Sequence, residues 1–464
     1  MKIQFCGAAR RVTGSKHLIT TNNGTKILLD CGLFQGIDTQ DLNLNFGFEA
    51  SEIDFLVLSH AHIDHTGLVP RLVGKGFKGP IYCTSATADL CRIMLMDSAH
   101  IQETDLQRIN ERREKKGEAL LEPLYDAADV DAALKLFVPV PYHQTTALND
   151  DISLYYTDTA HILGSAAIHL TITENGLAKR ITFSGDIGRP NDKILRQPEP
   201  FDQADVIICE STYGDKLHEP EADVKAHLVR VVRETCVAQR GKLIIPAFAI
   251  DRTQELIFAL DQLSSEGLLP PINVYIDSPL AVKATSVMKK HEDCFNPDVV
   301  AYIEKDGDAF AFPTLKYISD LNDSKALNDS DEPCIIISAS GMAEAGRIKH
   351  HIKNNITKAS TTILLVGYCS PSSLGGALKR GDKEVWIFGQ KFSVKAQVEV
   401  MSSFSAHADY AEIIDYLKCQ DPAKVQQLCL VHGEYDTQLI FKEKLQAVGF
   451  QNVAIPDMFE TIEI

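Results

Sequence analysis

The sequence lacks paired cysteines, long apolar stretches and low-complexity linkers. Its eleven cysteines are scattered from Cys6 to Cys429 without a C-x-x-C pair, which argues against a disulfide framework and against a zinc ribbon. No apolar run approaches the roughly 18 residues that a membrane span needs, and the first residues contain no apolar signal core. We therefore expect a cytoplasmic protein with reduced thiols and no membrane association.

An excess of positive charge is also missing. The chain has 46 basic and 63 acidic residues, giving a formal charge of −17, which argues against nucleic-acid binding through the surface as a whole but leaves a locally basic groove open. With 464 residues, 45% of them hydrophobic and 23% charged, the composition is that of a folded globule rather than a disordered chain. This length is enough for two domains.

The pattern of short apolar runs changes along the chain. β-branched runs bounded by Gly, Asp and Asn predict strands at residues 25–30, 54–59, 152–156, 168–172 and 180–184. Helical spacing is found at residues 85–116 and 127–136. From about residue 211 to 393, strands alternate with helices, which predicts a parallel sheet covered by helices.

The densest group of candidate metal ligands follows one apolar strand. His60, His62, Asp64 and His65 fall within six residues directly after the strand at residues 54–59. In an extended backbone, the first two imidazoles point the same way, as two ligands of one ion must, and the next two side chains face a second position. Packing alone does not account for three histidines and an aspartate in this space, so metal ligation is the favoured interpretation.

Three further candidate ligands lie in the same setting. His161, Asp186 and His432 each follow a predicted strand. Taken singly, an aspartate beside a glycine is usually a turn residue, and a histidine after a strand can simply end it. Their repeated placement at strand ends makes ligation the better interpretation.

Together these residues form a recognisable pattern. The His-x-His-x-Asp-His core with the three later ligands resembles the metallo-β-lactamase fold. Glu210 and the segment SFSAHAD at residues 403–409 look like the β-CASP branch of that superfamily, whose nucleases include the pre-mRNA 3′-end cleavage subunit and its bacterial relatives. The resemblance covers nearly the entire chain, with supporting matches at residues 12–15, 246–249, 277–281 and 340–342.

The resemblance implies an α/β fold with two domains. A metallo-β-lactamase αββα sandwich would comprise residues 1–210 and 394–464 and carry catalysis. A β-CASP α/β domain, a parallel sheet flanked by helices, would be inserted as residues 211–393.

The resemblance also implies a ligand set for two Zn²⁺ ions per chain. One ion would be held by His60, His62 and His161, and the other by Asp64, His65 and His432. Asp186 would bridge both ions, and Asp30 would orient the ligand loop through its carboxylate. A second interpretation of Asp30, an aspartate that closes a strand turn, is compatible with this role.

Catalysis in this family would use a hydroxide activated by the two metals together with a histidine general acid. His407 is the expected proton donor, Glu210 would raise its pKa and keep it protonated, and Asp64 is counted with them among the catalytic residues. Ser405, two residues before this histidine, would donate its hydroxyl to the scissile phosphate; a plain turn-forming serine is the alternative.

A second region suited to phosphate lies in the middle of the chain. The loop at residues 338–347 joins an apolar strand to a predicted helix, so its small residues bring free backbone N–H groups to a helix start. Ser340, Gly341 and Arg347 of this loop are the expected substrate-binding residues. Basic residues follow at Lys349 and Lys353, and these could track an RNA backbone.

The sequence thus predicts a zinc-dependent ribonuclease that cuts single-stranded RNA internally. A 5′–3′ exoribonuclease and a DNA-directed nuclease of the same superfamily are the enzymatic alternatives, although His432 argues against DNA because relatives that act on DNA usually lack this histidine. A catalytically inactive RNA-binding scaffold is the alternative from another class, and the complete ligand set argues against it. A homodimer and additional RNA-processing subunits stay open as partners.

Overall fold

The computed structural model describes residues 1–36, 39–218, 223–367, 369–401 and 406–464. The chain forms two compact units, one made of Met1–Leu217 with Ala406–Ile464, called the sandwich unit here, and the other made of His218–Ser405, called the inserted unit. The divisions lie later along the chain than the domain boundaries expected after residues 210 and 393. The assignment of functions to the two domains stays a prediction.

Most strands of the sandwich unit precede the insertion, and three follow it. In chain order the strands of the protein are β1 Lys2–Phe5, β2 His17–Thr20, β3 Lys26–Leu29, β4 Phe55–Val57, β5 Ile81–Cys83, β6 Phe137–Pro139, β7 Thr146–Ala147, β8 Ile152–Asp158, β9 Ala166–Glu174, β10 Leu177–Phe183, β11 Val206–Glu210, β12 Lys242–Pro246, β13 Asn273–Ile276, β14 Leu315–Tyr317, β15 Cys334–Ser338, β16 Thr362–Leu365, β17 Glu384–Ile387, β18 Gln390–Ser393, β19 Gln397–Val400, β20 Gln427–Val431, β21 Val453–Ala454 and β22 Thr461–Glu463.

The α-helices are distributed over both units. They are α1 Gln40–Leu44, α2 Ile63–Thr66, α3 Val69–Gly74, α4 Ser85–Glu114, α5 Ala127–Leu134, α6 Val224–Val232, α7 Arg252–Ser265, α8 Pro279–Met288, α9 Pro297–Asp306, α10 Leu321–Asp329, α11 Gly346–Asn355, α12 Leu374–Lys379, α13 Tyr410–Tyr416 and α14 Tyr435–Ala447. Within the described residues, none of these helices combines the length and the apolar character that crossing a bilayer demands.

Two sheets pack face to face in the sandwich unit. Their strand orders are β22-β1-β2-β3-β4-β5-β6 and β21-β20-β11-β10-β9-β8-β7. Alternate residues of both sheets, such as Ile3, Val57, Ile168 and Ile208, are buried together in one core, because successive side chains of a strand point to opposite faces.

Helices cover the outer face of each sheet. Leu72 of α3 and Ala133 of α5 pack with Leu56 on the first sheet, and Ile413 of α13 and Phe441 of α14 lie in the core of the second. The helix–sheet–sheet–helix layering confirms the expected sandwich.

The inserted unit is built around a parallel sheet. Its strand order is β14-β13-β15-β12-β16-β19, and every pairing in it is parallel. β15 is apolar up to its last residue, Ser338, and is buried along its whole length, as expected for a strand covered on both faces. The alternation of strands and helices therefore correctly predicted this part of the fold.

The later end of the inserted unit has a simple physical reason. β19 joins the edge of the parallel sheet by pairing with β16, so residues 397–400 belong to this sheet rather than to the sandwich. β17 and β18 form a separate antiparallel hairpin just before it. Parallel pairing with residues thirty-five positions earlier leaves no local signal in the sequence.

Candidate active site

The candidate ligands lie where strands of the sandwich unit end. β8 ends at Asp158, three residues before His161, and β10 ends at Phe183, three residues before Asp186. β20 ends at Val431, so His432 follows directly. All these strands belong to the second sheet, which gathers side chains from distant parts of the chain at one edge.

The ligand-rich segment passes from a strand into a short helix. After β4, residues 58–62 form a loop, and His62 is the N-cap of α2, which contains Asp64 and His65. The loop approaches its neighbour very closely, because a Cβ added to Gly32 would lie 1.6 Å from the backbone oxygen of Asp64. Only glycine permits this approach, which holds the helix in place.

The first group of donors surrounds His62. Its Nδ1 atom lies 3.1 Å from Nε2 of His60 and 3.2 Å from Nε2 of His161. The Oδ2 atom of Asp186 is 3.6 Å from Nε2 of His60 and 3.5 Å from Nε2 of His161. Ligand atoms of these four residues all lie within 4.8 Å of one another.

The second group consists of Asp64, His65 and His432. The Nε2 atoms of the two histidines are 3.3 Å apart, and Oδ2 of Asp64 is 3.4 Å from Nε2 of His432. Asp186 also contacts this group, since its Oδ2 lies 3.4 Å from Nε2 of His65. The Asp186 carboxylate therefore stands between the two groups.

In two of the histidines, Nδ1 faces away from the donor group and makes a hydrogen bond that determines which ring nitrogen carries the proton. Nδ1 of His161 donates to the backbone oxygen of Ala406 at 3.1 Å, and Nδ1 of His65 donates to Oδ2 of Asp30 at 2.7 Å. In a neutral imidazole the proton on Nδ1 leaves a lone pair on Nε2. In its neutral form, each of these two rings therefore turns a lone pair on Nε2 towards the interior of its group, as metal-binding histidines do.

Burial governs the charge of the first group. It lowers the pKa of His60 and His161 well below the ordinary value and that of His62 to about 4. Burial by itself raises the pKa of Asp186, but the nearby His432 and His65 outweigh it and hold that pKa well below the usual range. The first group thus offers three neutral imidazoles and one carboxylate.

Charge in the second group follows a different balance. Burial by itself lowers the pKa of His65, but the carboxylates of Asp186 and Asp30 raise it well above the ordinary value. Burial raises the pKa of Asp64, whereas the hydrogen bond from His432 lowers it, with a net value of about 2. Excess negative charge therefore surrounds this group and favours a cation.

The geometry fits divalent metal ions. Four ligands arranged tetrahedrally at about 2.0 Å from Zn²⁺ are about 3.3 Å apart, close to the nitrogen spacings in both groups. In addition, the Oδ1 atom of Asp186 is buried without a hydrogen-bond partner among the described residues. An unpaired buried carboxylate oxygen is costly unless it binds a proton or a cation. Histidine and aspartate clusters of this kind are suited to metal binding.

Asp30 organises the backbone beneath the second group. Its Oδ1 accepts a hydrogen bond from the backbone N–H of Ser59 at 2.8 Å, and its Oδ2 accepts from Oγ of Ser59 at 2.8 Å. The same Oδ2 is the atom that receives Nδ1 of His65. One fully buried carboxylate thus fixes both the start of the ligand loop and the orientation of a ligand ring.

His407 and Glu210 form a pair beside the metal-binding groups. Nδ1 of His407 lies 3.2 Å from Oε2 of Glu210 and 3.9 Å from Oδ2 of Asp186. Burial by itself lowers the pKa of His407, but the carboxylates, with that of Glu210 foremost, raise it to about 9. The His407 side chain keeps 22% of its surface exposed, whereas that of Glu210 is fully buried. This imidazole can therefore carry a proton at neutral pH and present it to a substrate.

The structure describes three of the four remaining predicted residues. Ser340, Gly341 and Arg347 belong to the inserted unit, and Ser405 lies outside the described residues. Oγ of Ser340 accepts hydrogen bonds from two backbone N–H groups of its own loop, each at 3.2 Å. The guanidinium of Arg347 donates to Oδ1 of Asp277 at 2.7 Å, so it already holds a buried carboxylate. Their roles in substrate binding stay predictions.

Two contributors to the site were missed by the sequence analysis. Oγ of Ser59 lies 3.1 Å from Nδ1 of His60, and Oγ1 of Thr212 lies 3.0 Å from Nδ1 of His432. Each hydroxyl therefore sets the orientation of a candidate ligand ring. Ser59 adjoins the ligand segment in the sequence, which is a usable signal, whereas Thr212 meets its histidine only through the pairing of β11 with β20.

Three family models match consecutive parts of the chain. Residues 18–208 match a metallo-beta-lactamase superfamily domain, and residues 253–378 match a Beta-Casp domain. Residues 391–456 match a Zn-dependent metallo-hydrolase RNA specificity domain.

Curated relatives match over all or nearly all of this chain. Ribonuclease TTHA0252 of Thermus thermophilus is 32% identical over all of this chain and all of its own. Transcription termination factor FttA of Methanocaldococcus jannaschii is 30% identical over all of this chain and 72% of its own. Cleavage and polyadenylation specificity factor 73 of Drosophila melanogaster is 30% identical over 96% of this chain and 62% of its own.

Proposed function

Because the chain belongs to the β-CASP branch of the metallo-β-lactamase superfamily and is a metal-dependent hydrolase, we propose that it cuts single-stranded RNA internally with two zinc ions bound. The observation that carries the proposal is that six donor side chains, in two groups, gather around a seventh, Asp186, with His407 beside them. The ribonuclease name of a relative matched over its whole length supports RNA as the substrate.

We assign the donors to two ions. His60, His62 and His161 would hold the first, Asp64, His65 and His432 the second, and Asp186 would be shared. Bound zinc ions would lower the pKa of water towards neutrality and offset the negative charge on the phosphate oxygens. Asp30, Ser59 and Thr212 keep the rings oriented for this purpose.

The chain itself supplies the proton that the leaving group needs. The departing sugar oxygen is a poor leaving group as an anion, so a proton donor within reach accelerates its departure. His407 is protonated at neutral pH because Glu210 raises its pKa, and its partly exposed ring can face substrate. Glu210 also accepts a hydrogen bond from the backbone N–H of Ile187 at 2.5 Å, which ties the proton donor to the Asp186 loop.

Circular RNA distinguishes internal cutting from attack at an end. A circle has no end, so an exoribonuclease leaves it intact, whereas an endonuclease opens it. We expect the zinc-loaded protein to linearise circular RNA and to cut end-labelled linear RNA at internal positions. Cutting of the linear RNA alone would support the exonucleolytic alternative, and cutting of single-stranded DNA in preference to RNA would support the DNA-directed one.

The scaffold alternative is addressed by the same reactions. A binding subunit would retain RNA without cutting it at any zinc concentration, and His407→Ala would then behave as the unchanged protein does.

We place the enzyme in the cytoplasm, because its eleven cysteines are all free and ten of them are buried, as suits a reducing compartment. If additional subunits bind this protein, we propose that their role is to select the RNA that is cut.

A further inference from the structure

The hairpin of β17 and β18 exposes large aromatic side chains on the inserted unit. Trp386 is 66% exposed and Phe388 is 48% exposed. Val385 and Ile387, on the other face of the strand, are buried with Ile348 of α11 in the apolar core of this unit. The hairpin is therefore anchored by its inner face, and its exposed rings contribute nothing to that core.

The conformation of the hairpin turn does not explain why position 388 is a phenylalanine. Ile387 pairs with Gln390, so Phe388 and Gly389 form a two-residue turn, with φ angles of 51° and 73°. Two positive φ angles define a type I′ turn, for which Asn-Gly is the preferred sequence. A bulky aromatic residue rarely adopts a positive φ. Turn formation favours a different residue at this position, so the ring has another role.

Basic side chains of α11 surround the Phe388 ring. The ring centroid of His350 lies 4.6 Å from that of Phe388, and the Nζ atoms of Lys349 and Lys353 lie 5.4 and 5.9 Å from it. Within the described residues, Lys353 has no carboxylate partner. Nζ of Lys349 lies 3.7 Å from a carboxylate oxygen of Glu344 and donates to the backbone oxygen of the same residue at 3.2 Å. Two ammonium groups therefore flank an exposed ring, and that of Lys353 has no carboxylate among the described residues to balance its charge.

The surrounding sequence is basic although the protein is acidic. Residues 346–358 and 379–395 together contain nine basic and two acidic residues, in a chain with a formal charge of −17. These two segments are α11 with the residues after it and the hairpin with its flanks. A positive patch on a negatively charged protein attracts an anionic ligand and steers it to that place.

We propose that Phe388, Trp386, His350, Lys349 and Lys353 form a subsite for single-stranded RNA on the inserted unit. Bases stack on the exposed rings, which accept any base, and the two ammonium groups pair with phosphates. The subsite deepens the proposed function, on which it rests for the identity of the nucleic acid. A second copy of this chain is a poorer occupant, because it would bring the same positive charge to the contact.

The sole tryptophan of the chain makes a direct test available. Since Trp386 is the only tryptophan in this sequence, tryptophan fluorescence, excited at a wavelength that the thirteen tyrosines do not absorb, reports on this hairpin. The protein is titrated in the presence of a chelator, which prevents cleavage, with oligouridine about twelve nucleotides long. We expect a saturable change in fluorescence that added salt weakens. A duplex of the same length should produce a much smaller change, because its bases are already paired and stacked.

Phe388→Asn separates binding from folding. Asparagine suits the type I′ turn, so the variant should be at least as thermally stable as the unchanged protein. Its affinity for the oligonucleotide should nevertheless fall about tenfold, because one stacking surface is gone. The double variant Lys349→Gln/Lys353→Gln should bind more weakly and with a smaller salt dependence. The matched control Lys305→Gln/Lys325→Gln removes two exposed lysines from α9 and α10 and should bind normally.

Three results would overturn the subsite: normal binding by Phe388→Asn, an equal response to duplex, or a fluorescence change that depends only on protein concentration. The last result would assign the patch to a second copy of the chain. Failure of the proposed function looks different, since the protein would then cut no RNA with any metal while Trp386 still responded to oligouridine. Conversely, RNA cleavage with normal binding by Phe388→Asn rejects the subsite and leaves the proposed function intact.

Discussion

His407 Nδ1 lies 3.2 Å from Oε2 of Glu210, whose side chain is fully buried. A buried carboxylate this close stabilises the imidazolium. It contacts Nδ1, so Nε2 is the ring nitrogen left to donate a proton to a substrate. We therefore interpret His407 as a general acid rather than a metal ligand. Its raised pKa distinguishes it from the histidines of the first donor group, whose pKa values are lowered.

Replacing His407 with alanine should abolish the proton donor and leave the metal sites intact. We expect the rate of RNA cleavage to fall about 10²–10⁴-fold, the usual contribution of a general acid, with unchanged zinc content. Cleavage rates and elemental analysis of the same preparation check both parts. Loss of zinc from this variant would contradict the separation between the acid and the ligands.

Replacing Glu210 with glutamine should change the pH dependence of cleavage. Glu210 is foremost among the carboxylates that raise the pKa of His407 to about 9 against the effect of burial. Removing its charge should lower that pKa, so the protonated acid is lost at a lower pH. The alkaline limb of the kcat/KM profile should consequently move to lower pH. Glu103→Gln, an exposed charge on α4, is the matched control and should leave the profile unchanged. A uniformly lower rate with an unmoved alkaline limb would show that the charge of Glu210 does not act on the acid.

Asp30 should contribute to metal affinity through His65 and Ser59. Asp30→Asn keeps the shape of the side chain and suits its φ of 57°, but it weakens the acceptor of both hydrogen bonds. Zinc affinity, measured by competition with a chelator, should fall about 10–100-fold. Ser15→Ala removes a longer contact to the same carboxylate, at 3.3 Å, and should have a smaller effect. Equal effects of the two variants would reject this role for Asp30.

Gly188 should be required for the approach of two ligand loops. A Cβ at this position would lie 1.8 Å from the backbone oxygen of Ala160, next to His161. Gly188→Ala should therefore lower the free energy of unfolding by about 1–3 kcal/mol and reduce bound zinc. Gly367→Ala is the control, since nothing lies within 4 Å of an added Cβ there. Urea unfolding and zinc analysis of both variants check the prediction; normal zinc content in Gly188→Ala would contradict it.

The positions of the candidate ligands could be predicted because each lies at the end of an apolar run. For example, the run at residues 427–431 predicts a strand, and His432 directly after it is then predicted to lie at the strand end. Residue type then restricts the chemistry, since clustered imidazoles and carboxylates have few structural uses. The assignment of donors to two ions came from family resemblance, and it stays a proposal.

Other features depend on contacts between distant residues and left no local signal. Thr212 meets His432 only because β11 pairs with β20, more than 200 residues later. β19 extends the inserted unit because it pairs with β16. Phe388 occupies a turn position for which its residue type is unfavourable, so turn preferences point away from the hairpin.

The central claim is that seven side chains, Asp186 among them, hold two zinc ions. A crystal of the zinc-loaded protein, measured on both sides of the zinc absorption edge, tests it most directly. We predict two anomalous peaks, one among His60, His62 and His161 and the other among Asp64, His65 and His432, each also bonded to the Asp186 carboxylate. A map without peaks at these positions after soaking in excess zinc, or with the zinc bound elsewhere, would contradict the account.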